Sequence, residues 1–288
     1  MKVVLIHNSL SGQNMTLPQL KKMFRRHKVT VTDSFSARQL NSAKLAALVQ
    51  RGVTVAVVGG DGTHSNVAEL IAGTKSTLLP LPGGTFNHFV RDLGMESDIE
   101  AVLGHLDDAR KRMIDVAYVN GRLFLNNSNI GMYPFSLLEQ KKTRRIVGKW
   151  LAAAWTAVIQ MVEFRRHRLN IDGRNIRTPF VFVGNNEYDL QAIGLPPKTT
   201  LVGGKLFVVV STSSTRFGFM KAVFMAALGR ARQHDELEID QPSQLTIDSP
   251  HKKIAISYDG EAVTTIPPLH YHIEPKHLRV MYVPKSDV

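Results

Sequence analysis

The sequence predicts an α/β protein: a parallel sheet covered by helices on both faces, followed by a second domain rich in β-strands. Three observations predict it. In the first third, short apolar runs alternate with segments whose apolar residues recur at helical spacing, as buried parallel strands joined by crossover helices require. One of those runs leads straight into Gly59-Gly60-Asp61-Gly62-Thr63. After about Asp115 the rhythm changes to strand-length segments separated by turns such as Asn120-Gly121 and Asp172-Gly173, which mark antiparallel hairpins.

Val3–Ile6 is the first apolar run, and Leu17, Leu20, Met23 and Phe24 give helical spacing over Leu17–Arg26. The β-branched Val29–Thr32 reads as a second strand. Leu40–Gln50 reads as a helix with Leu40, Ala43, Ala47 and Leu48 on one side. Val53–Val58 is a third strand, nearly all apolar, and a helix covering Val67–Ile71 is expected to start at about Ser65 or Asn66. Leu78–Leu81 is the fourth strand. Beyond it, strands are expected at Val116–Val119, Arg122–Asn126, Arg168–Ile171, Pro179–Val183, Lys205–Val210, Leu237–Ile239, Gln244–Ile247, Ile254–Tyr258 and Leu278–Val283. Helical stretches are expected at about Leu137–Phe164 and Phe217–Gln233. The domains are expected at 1–115 and 116–288, with the last residues free to return to the first domain.

Composition narrows the chemistry. The 288 residues are 43% hydrophobic and 21% charged, an ordinary globular mix. Cysteine is absent, which excludes disulfides, thiolate metal sites and cysteine nucleophiles. The formal charge of +12 draws anionic partners, whether nucleotides, nucleic acid or a membrane face. Val3–Ile6 is too short for a signal-peptide core, and the longest largely apolar stretch, Trp150–Val162, falls short of a bilayer span. A soluble, cytoplasmic protein that at most lies on a membrane surface is therefore expected.

The chemistry concentrates at glycine turns. A parallel strand delivers its C-terminal end to the crevice where open α/β sheets bind ligands. There Gly59, Gly60 and Gly62 would let backbone N–H groups approach phosphate oxygens, and the following helix would add free N–H donors and positive partial charge. Asp61 repels phosphate unless it helps hold a Mg²⁺ or orients a basic group. The plainer alternative is a tight turn of small residues. After the next strand comes a second such turn, Leu81-Pro-Gly-Gly-Thr-Phe-Asn-His-Phe-Val-Arg91, where Gly84 sits in the turn and Thr85 and Asn87 can hydrogen-bond phosphate or ribose. Far along the chain, Asp259-Gly260-Glu261 offers a base and a partner to orient it, or else an Asp-Gly hairpin turn beside an exposed Glu. No Walker loop, complete Gly-x-Gly-x-x-Gly fingerprint, Gly-x-Ser-x-Gly elbow or His-Glu-x-x-His spacing occurs.

Taken in order, these motifs resemble the diacylglycerol kinase catalytic-domain family, which includes bacterial lipid kinases and sphingosine and ceramide kinases. The resemblance runs from Asn8-Ser-Leu-Ser-Gly12 through the two glycine turns, Glu69 and Phe124-Leu-Asn-Asn-Ser-Asn-Ile-Gly131 to Asp259-Gly-Glu261 and Ile273–Val280. It implies a Rossmann-like nucleotide-binding domain, a C-terminal β-sandwich and an active site in the cleft between them. It further implies that Asn8, Gly59, Gly60, Asp61, Gly62, Thr63, His64, Ser65, Gly84, Thr85 and Asn87 serve ATP. Glu261 would accept the proton with Asp259 beside it and Asp61 assisting, and Mg²⁺ would arrive with ATP. A Ser or Thr after the second strand also serves some members, with Ser34 and Ser36 both open here. Two departures stand out: His88 occupies a usual Asp position, and Val202–Val208 lacks the acidic residues that many members use for a structural Mg²⁺, so none is expected there.

Lys141, Lys142, Arg144, Arg145 and Lys149 at one end, and Arg165, Arg166 and Arg168 at the other, flank an apolar face of Trp150, Trp155 and Ile159. This is either an interfacial helix on anionic lipid or a packed helix with solvated ends. Phe217–Leu228 poses the same choice, with core packing favoured over an acyl-chain pocket. The reading is an ATP-dependent lipid kinase acting on a diacylglycerol-like hydroxyl. Its rivals are an NAD kinase-like enzyme, which would share Gly-Gly-Asp-Gly-Thr, and a catalytically silent lipid- or nucleotide-binding regulator. Nucleic-acid binding rests on net charge alone.

Overall fold

The computed structural model describes residues 1–8, 15–131, 164–190, 197–227, 230 and 235–285. The chain divides into two compact units: Met1–Val116 with Glu274–Val288, and Ala117–Ile273. The expected helix over 137–164, with its basic end at 141–149 and its Trp150/Trp155 face, lies outside the described residues except for Phe164, as do 9–12 of the first motif.

In the first unit the strands β1 (Lys2–His7), β2 (Thr30–Ser36), β3 (Thr54–Gly59) and β4 (Thr77–Pro82) pair in parallel in the order β2-β1-β3-β4. Val3–Ile6 and Val55–Val58 are buried, as strands covered on both faces must be. Helix α1 (Leu17–Arg26) starts at a capping box in which the Gln19 side chain accepts the Thr16 N–H at 2.8 Å, and it buries Leu20 and Phe24. Helix α2 (Ala43–Gln50) starts three residues later than Leu40 and buries Leu45 and Val49 rather than the Ala43/Ala47 side. The larger apolar side chains set the face, because alanines offer little area to bury.

Helix α3 (Asp61–Ile71) departs further from expectation: it begins at Asp61, directly after Gly60, rather than near Ser65. Two short helices follow that periodicity did not announce, α4 (His88–Asp92) and α5 (Ile99–Gly104).

The second unit is built from two antiparallel sheets. One, in the order β12-β11-β10-β7-β14-β15, uses Leu237–Asp240, Leu206–Ser211, Phe180–Asn185, Asn127–Gly131, Ile254–Tyr258 and Glu261–Thr265. In the other, β8 (His167–Ile171), β9 (Arg174–Thr178) and β13 (Gln244–Asp248) join the first part of β16 (Leu269–Tyr282), and β5 (Arg110–Val119) pairs with both β16 and β6 (Arg122–Phe124). Ile130, Val181, Val183, Val208 and Ile256 of one sheet and Leu169, Leu245, Ile247 and Tyr271 of the other form one buried core. Leu278–Val283, expected as a separate strand, is up to Tyr282 the end of the 14-residue β16, whose Val280 pairs in parallel with Leu78 of the first unit's β4. Strand β7 was hidden by its polar Asn-Ser-Asn composition, and β9 by its charge.

Both anticipated hairpin turns are present, with positive φ at Asn120, Gly121, Asp172 and Gly173, as two-residue primed turns need. Helix α6 (Arg216–Ala227) buries Phe219 against Phe180 and Phe164, at 6.3 and 6.0 Å between ring centres, while Phe217 is 80% exposed.

Candidate active site

Two clusters hold the residues that the sequence singles out, one in each unit. In the first, β3 and β4 run side by side and both end in glycine pairs. Gly83 N–H donates to the Gly59 carbonyl at 2.9 Å, so the two turns lie against each other. A Cβ on Gly84 would fall 2.5 Å from the Gly60 Cα, and one on Gly83 would fall 2.6 Å from the Gly59 nitrogen. Backbone touches backbone there, and only residues without a side chain permit it. The glycines thus serve first to bring two strand ends together.

Asp61, at the start of α3, reaches across this contact. Its carboxylate accepts the N–H of Phe89 at 2.9 Å and of His88 at 3.2 Å, the first amides of α4. This resolves how a carboxylate fits inside a phosphate-type turn. Much of its charge is directed at neighbouring backbone dipoles, where an anion at a helix start is stabilised.

Asn87 takes a left-handed conformation, φ 49°, and folds its side chain over the turn. Its Oδ1 accepts the Gly84 N–H at 2.8 Å, and its Nδ2 donates to the Gly84 carbonyl at 3.1 Å. Asn8, just beyond β1, donates from Nδ2 to the Thr63 hydroxyl at 3.0 Å. Ser65 is buried, and its hydroxyl donates back to the Asp61 carbonyl at 3.1 Å. Thr85 is exposed, and Gly62 is half-buried in the first turn of α3. By helix geometry the N–H groups of Asp61 and Gly62 have no intrahelical acceptor. At the end of β2, Ser36 pairs with His7 at the carboxyl rim, whereas Ser34 sits two residues back beside Leu5.

His64 stands apart from the other candidates. Its ring is wholly buried, with Nε2 between the carbonyls of Val57 and Leu81 at 3.3 and 3.2 Å. Both neighbours are acceptors, so Nε2 carries the proton and the ring ties β3 to β4. Burial pushes its pKa below the ordinary 6.5, against a smaller opposing pull from Asp61. The imidazole is a neutral brace between strands and is not presented to a ligand.

His88 takes a different role. Its ring stacks on the half-exposed Phe86, 5.5 Å between centres, and Nδ1 faces Arg91 at 3.2 Å. Arginine only donates, so Nδ1 accepts and the ring proton sits on Nε2. Desolvation lowers its pKa; Asp61 opposes that shift, while Arg91 adds to it.

In the second unit Asp259 and Gly260 make the two-residue turn between β14 and β15, with φ 44° and 83°. It is a hairpin turn, but not a bland one. Asp259 is 7% exposed, and its carboxylate accepts the N–H groups of Leu125, Asn126 and Asn127 at 2.6, 2.8 and 3.3 Å. Glu261, the first residue of β15, is exposed. Sequence reasoning missed the side chains behind this clamp. Asn185 Nδ2 donates to the Leu125 carbonyl at 3.0 Å, and the Tyr188 hydroxyl donates to that of Asn126 at 2.9 Å. They lie about 60 residues from their partners, and no short-range pattern announces them.

The segment 202–208 is held by an amide. Asn186 accepts the Gly203 N–H at 2.8 Å through Oδ1, and its own N–H donates to the Lys205 carbonyl at 3.1 Å. Among the described residues, no group of three or more His, Asp or Glu side chains is placed to hold a metal ion, and no helix is long and apolar enough to cross a membrane.

Comparison with known proteins agrees with this two-part arrangement. Residues 2–119 match the diacylglycerol kinase catalytic domain, and residues 139–282 match the YegS C-terminal NAD kinase beta sandwich-like domain. A YegS-like probable lipid kinase from Cronobacter sakazakii is 25% identical over 277 residues, 90% of this chain and 89% of that protein. Another from Pseudomonas syringae pv. tomato is 43% identical over 75 residues, 25% of this chain and only 24% of that protein's length. A diacylglycerol kinase structure from Bacillus anthracis shares the fold, with a TM-score of 0.65 at 21% identity over 98% of this chain and 97% of that one. The chain belongs to the diacylglycerol kinase catalytic-domain family. That makes it a member of a kinase family.

Proposed function

We propose that this protein is an ATP-dependent lipid kinase that transfers the γ-phosphoryl group to the hydroxyl of a diacylglycerol-like lipid. The observation that carries the reading is the contact of Gly59-Gly60 with Gly83-Gly84 at the end of two parallel strands, beside the N-terminus of α3. A glycine-rich rim beside the start of a helix suits triphosphate oxygens. Gly59, Gly60, Gly62, Thr63, Gly84, Thr85 and Asn87 line it, with Asn8 orienting the Thr63 hydroxyl. His64 and Ser65 support it from below through their buried side chains.

The same residues fit Mg²⁺ only in part. With no three-ligand cage among the described residues, the ion would be held by the triphosphate and by water, with the Asp61 carboxylate nearby. When bound it supplies charge neutralisation at the phosphates. Asp61 meanwhile keeps the two glycine turns together. Glu261 is the base: exposed and set beside a clamped turn, it takes the proton of the acceptor hydroxyl as the oxygen attacks phosphorus. Asp259 orients it without reacting. Most of the rate comes from positioning and from charge stabilisation. The basic chain and its lack of a spanning helix among the described residues suit a cytoplasmic protein that meets its lipid at an anionic membrane face.

The test is incubation with γ-labelled ATP and either an extracted lipid pool or NAD. Label in a lipid phosphate is expected. Labelled NADP without labelled lipid would replace the reading by an NAD kinase-like one. No label in either, with ATP still bound, would favour the silent regulator.

A further inference from the structure

The Asp259 clamp extends beyond the three amides. Peptide 125–126 is gripped at both ends: its N–H, on Asn126, donates to Asp259 Oδ1 at 2.8 Å, and its carbonyl, on Leu125, accepts from Lys198 Nζ at 2.5 Å. The next peptide repeats the pattern. Its N–H, on Asn127, points to Asp259 at 3.3 Å, and its carbonyl, on Asn126, accepts from the Tyr188 hydroxyl at 2.9 Å. Lys198 Nζ also lies over the Tyr188 ring, 5.9 Å from its centre.

A cation on the oxygen of a peptide and a carboxylate on its hydrogen polarise that peptide in the same sense. Chains of this kind strengthen one another in a partly buried setting. Lys198 and Asp259 therefore bear with opposite charges on the two ends of one amide group. Lys198 itself is well placed for this. The ladder Thr199 N–H to Glu187 O, 3.0 Å, and Asp189 N–H to Pro197 O, 2.9 Å, brackets the Tyr188–Lys198 bridge and fixes its backbone.

We infer that Lys198 is a positioning residue for phosphoryl transfer, acting through peptide 125–126 on the Asp259-Gly260 turn that presents Glu261. The inference rests on the lipid-kinase reading given above. Without the cation, the Leu125 carbonyl loses its charged donor, the clamp on Asp259 slackens and Glu261 samples orientations away from the hydroxyl it must deprotonate. Nucleotide affinity is untouched, since no residue of the glycine rim takes part.

Three preparations test this: Lys198→Met, Lys198→Arg and Glu261→Gln, assayed for lipid phosphorylation and for amide hydrogen exchange. Loss of one charge-assisted hydrogen bond in Lys198→Met is expected to lower kcat about tenfold, with KM for ATP within about twofold. Lys198→Arg is expected to recover most of kcat, and exchange at Leu125–Asn127 should quicken in the Met variant alone. Unchanged kcat in Lys198→Met, while Glu261→Gln abolishes transfer, overturns the inference and leaves the kinase reading standing. Equal losses in the Met and Arg variants overturn it too, as would a rise in KM for ATP in place of a fall in kcat. Lack of lipid phosphorylation by the unaltered protein overturns the function and the role of Lys198 in it together. The exchange arm stands apart from activity: unaltered protection at 125–127 in Lys198→Met overturns the relay whatever the assay gives.

Discussion

The glycine rim of the first unit and the hairpin turn of the second use the same device for opposite ends. In each, an aspartate that the sequence marks as chemical spends its carboxylate on backbone amides of a distant segment: Asp61 on His88 and Phe89, Asp259 on Leu125, Asn126 and Asn127. At the rim the clamp holds together two glycine turns in which backbone meets backbone. At the hairpin the clamp is buried and leaves one side chain, Glu261, in front of it. A carboxylate in a glycine-rich motif can thus be a fastener; on the proposed function, its plain-looking neighbour is the reacting group.

The comparison is broken most severely at Asp259. Asp259→Ala orphans two buried amides and a part-buried one and is expected to cost about 3 kcal/mol or more in urea unfolding, with activity lost. Asp259→Asn keeps an acceptor oxygen and should recover much of the stability. A cost for Asp259→Ala no larger than that of an exposed substitution would show that the clamp holds nothing.

Next comes Gly84→Ala, which forces a methyl against the Gly60 Cα and is expected to cost about 1–3 kcal/mol by overpacking, together with nucleotide binding in calorimetry. Gly104→Ala in α5 meets only ordinary contact and should leave both unchanged, which separates the crowded turn from glycine loss in general.

Asp61→Ala should be milder, about 1–2 kcal/mol, since it removes a cap from a partly exposed helix start. Its signature is local: faster amide exchange at His88 and Phe89, with the second unit unaffected.

The smallest effect is a slope. Burial holds the His64 pKa below 6.5, so as pH falls through that value the unfolded chain takes up a proton that the folded chain refuses. Stability from His64 is therefore complete above about pH 7 and declines in acid, by at most about 1.4 kcal/mol per unit. Between pH 7 and 5, the stability of the wild type should fall more steeply than that of His64→Gln. Parallel curves would mean that the ring is already accessible to protons.

Much of this was legible in the sequence because its signals are local. Val3–Ile6 and Val53–Val58 announce buried strands by composition, and the glycine runs announce close backbone approach. What the runs could not reveal is what approaches: Gly60 meets Gly84, 24 positions away, before any ligand does. The start of α3 was misplaced because glycine reads as a helix breaker, whereas here Gly62 occupies the first turn, where a helix tolerates it. His64 reads as a polar residue in a phosphate motif, yet tertiary packing inserts it between two strands. Lys198, Asn185 and Tyr188 carry no motif at all, and their roles exist only once β7, β10 and the 187–199 ladder are assembled.

The most direct test of the division between fastener and base is Glu261→Gln, with ATP binding and transfer of label to lipid measured on one preparation. The account predicts unchanged ATP affinity, an unfolding curve like the wild type's, and a fall in kcat of roughly 10²–10⁴-fold. Transfer at the wild-type rate would contradict it, because no other carboxylate in that turn is free of the backbone.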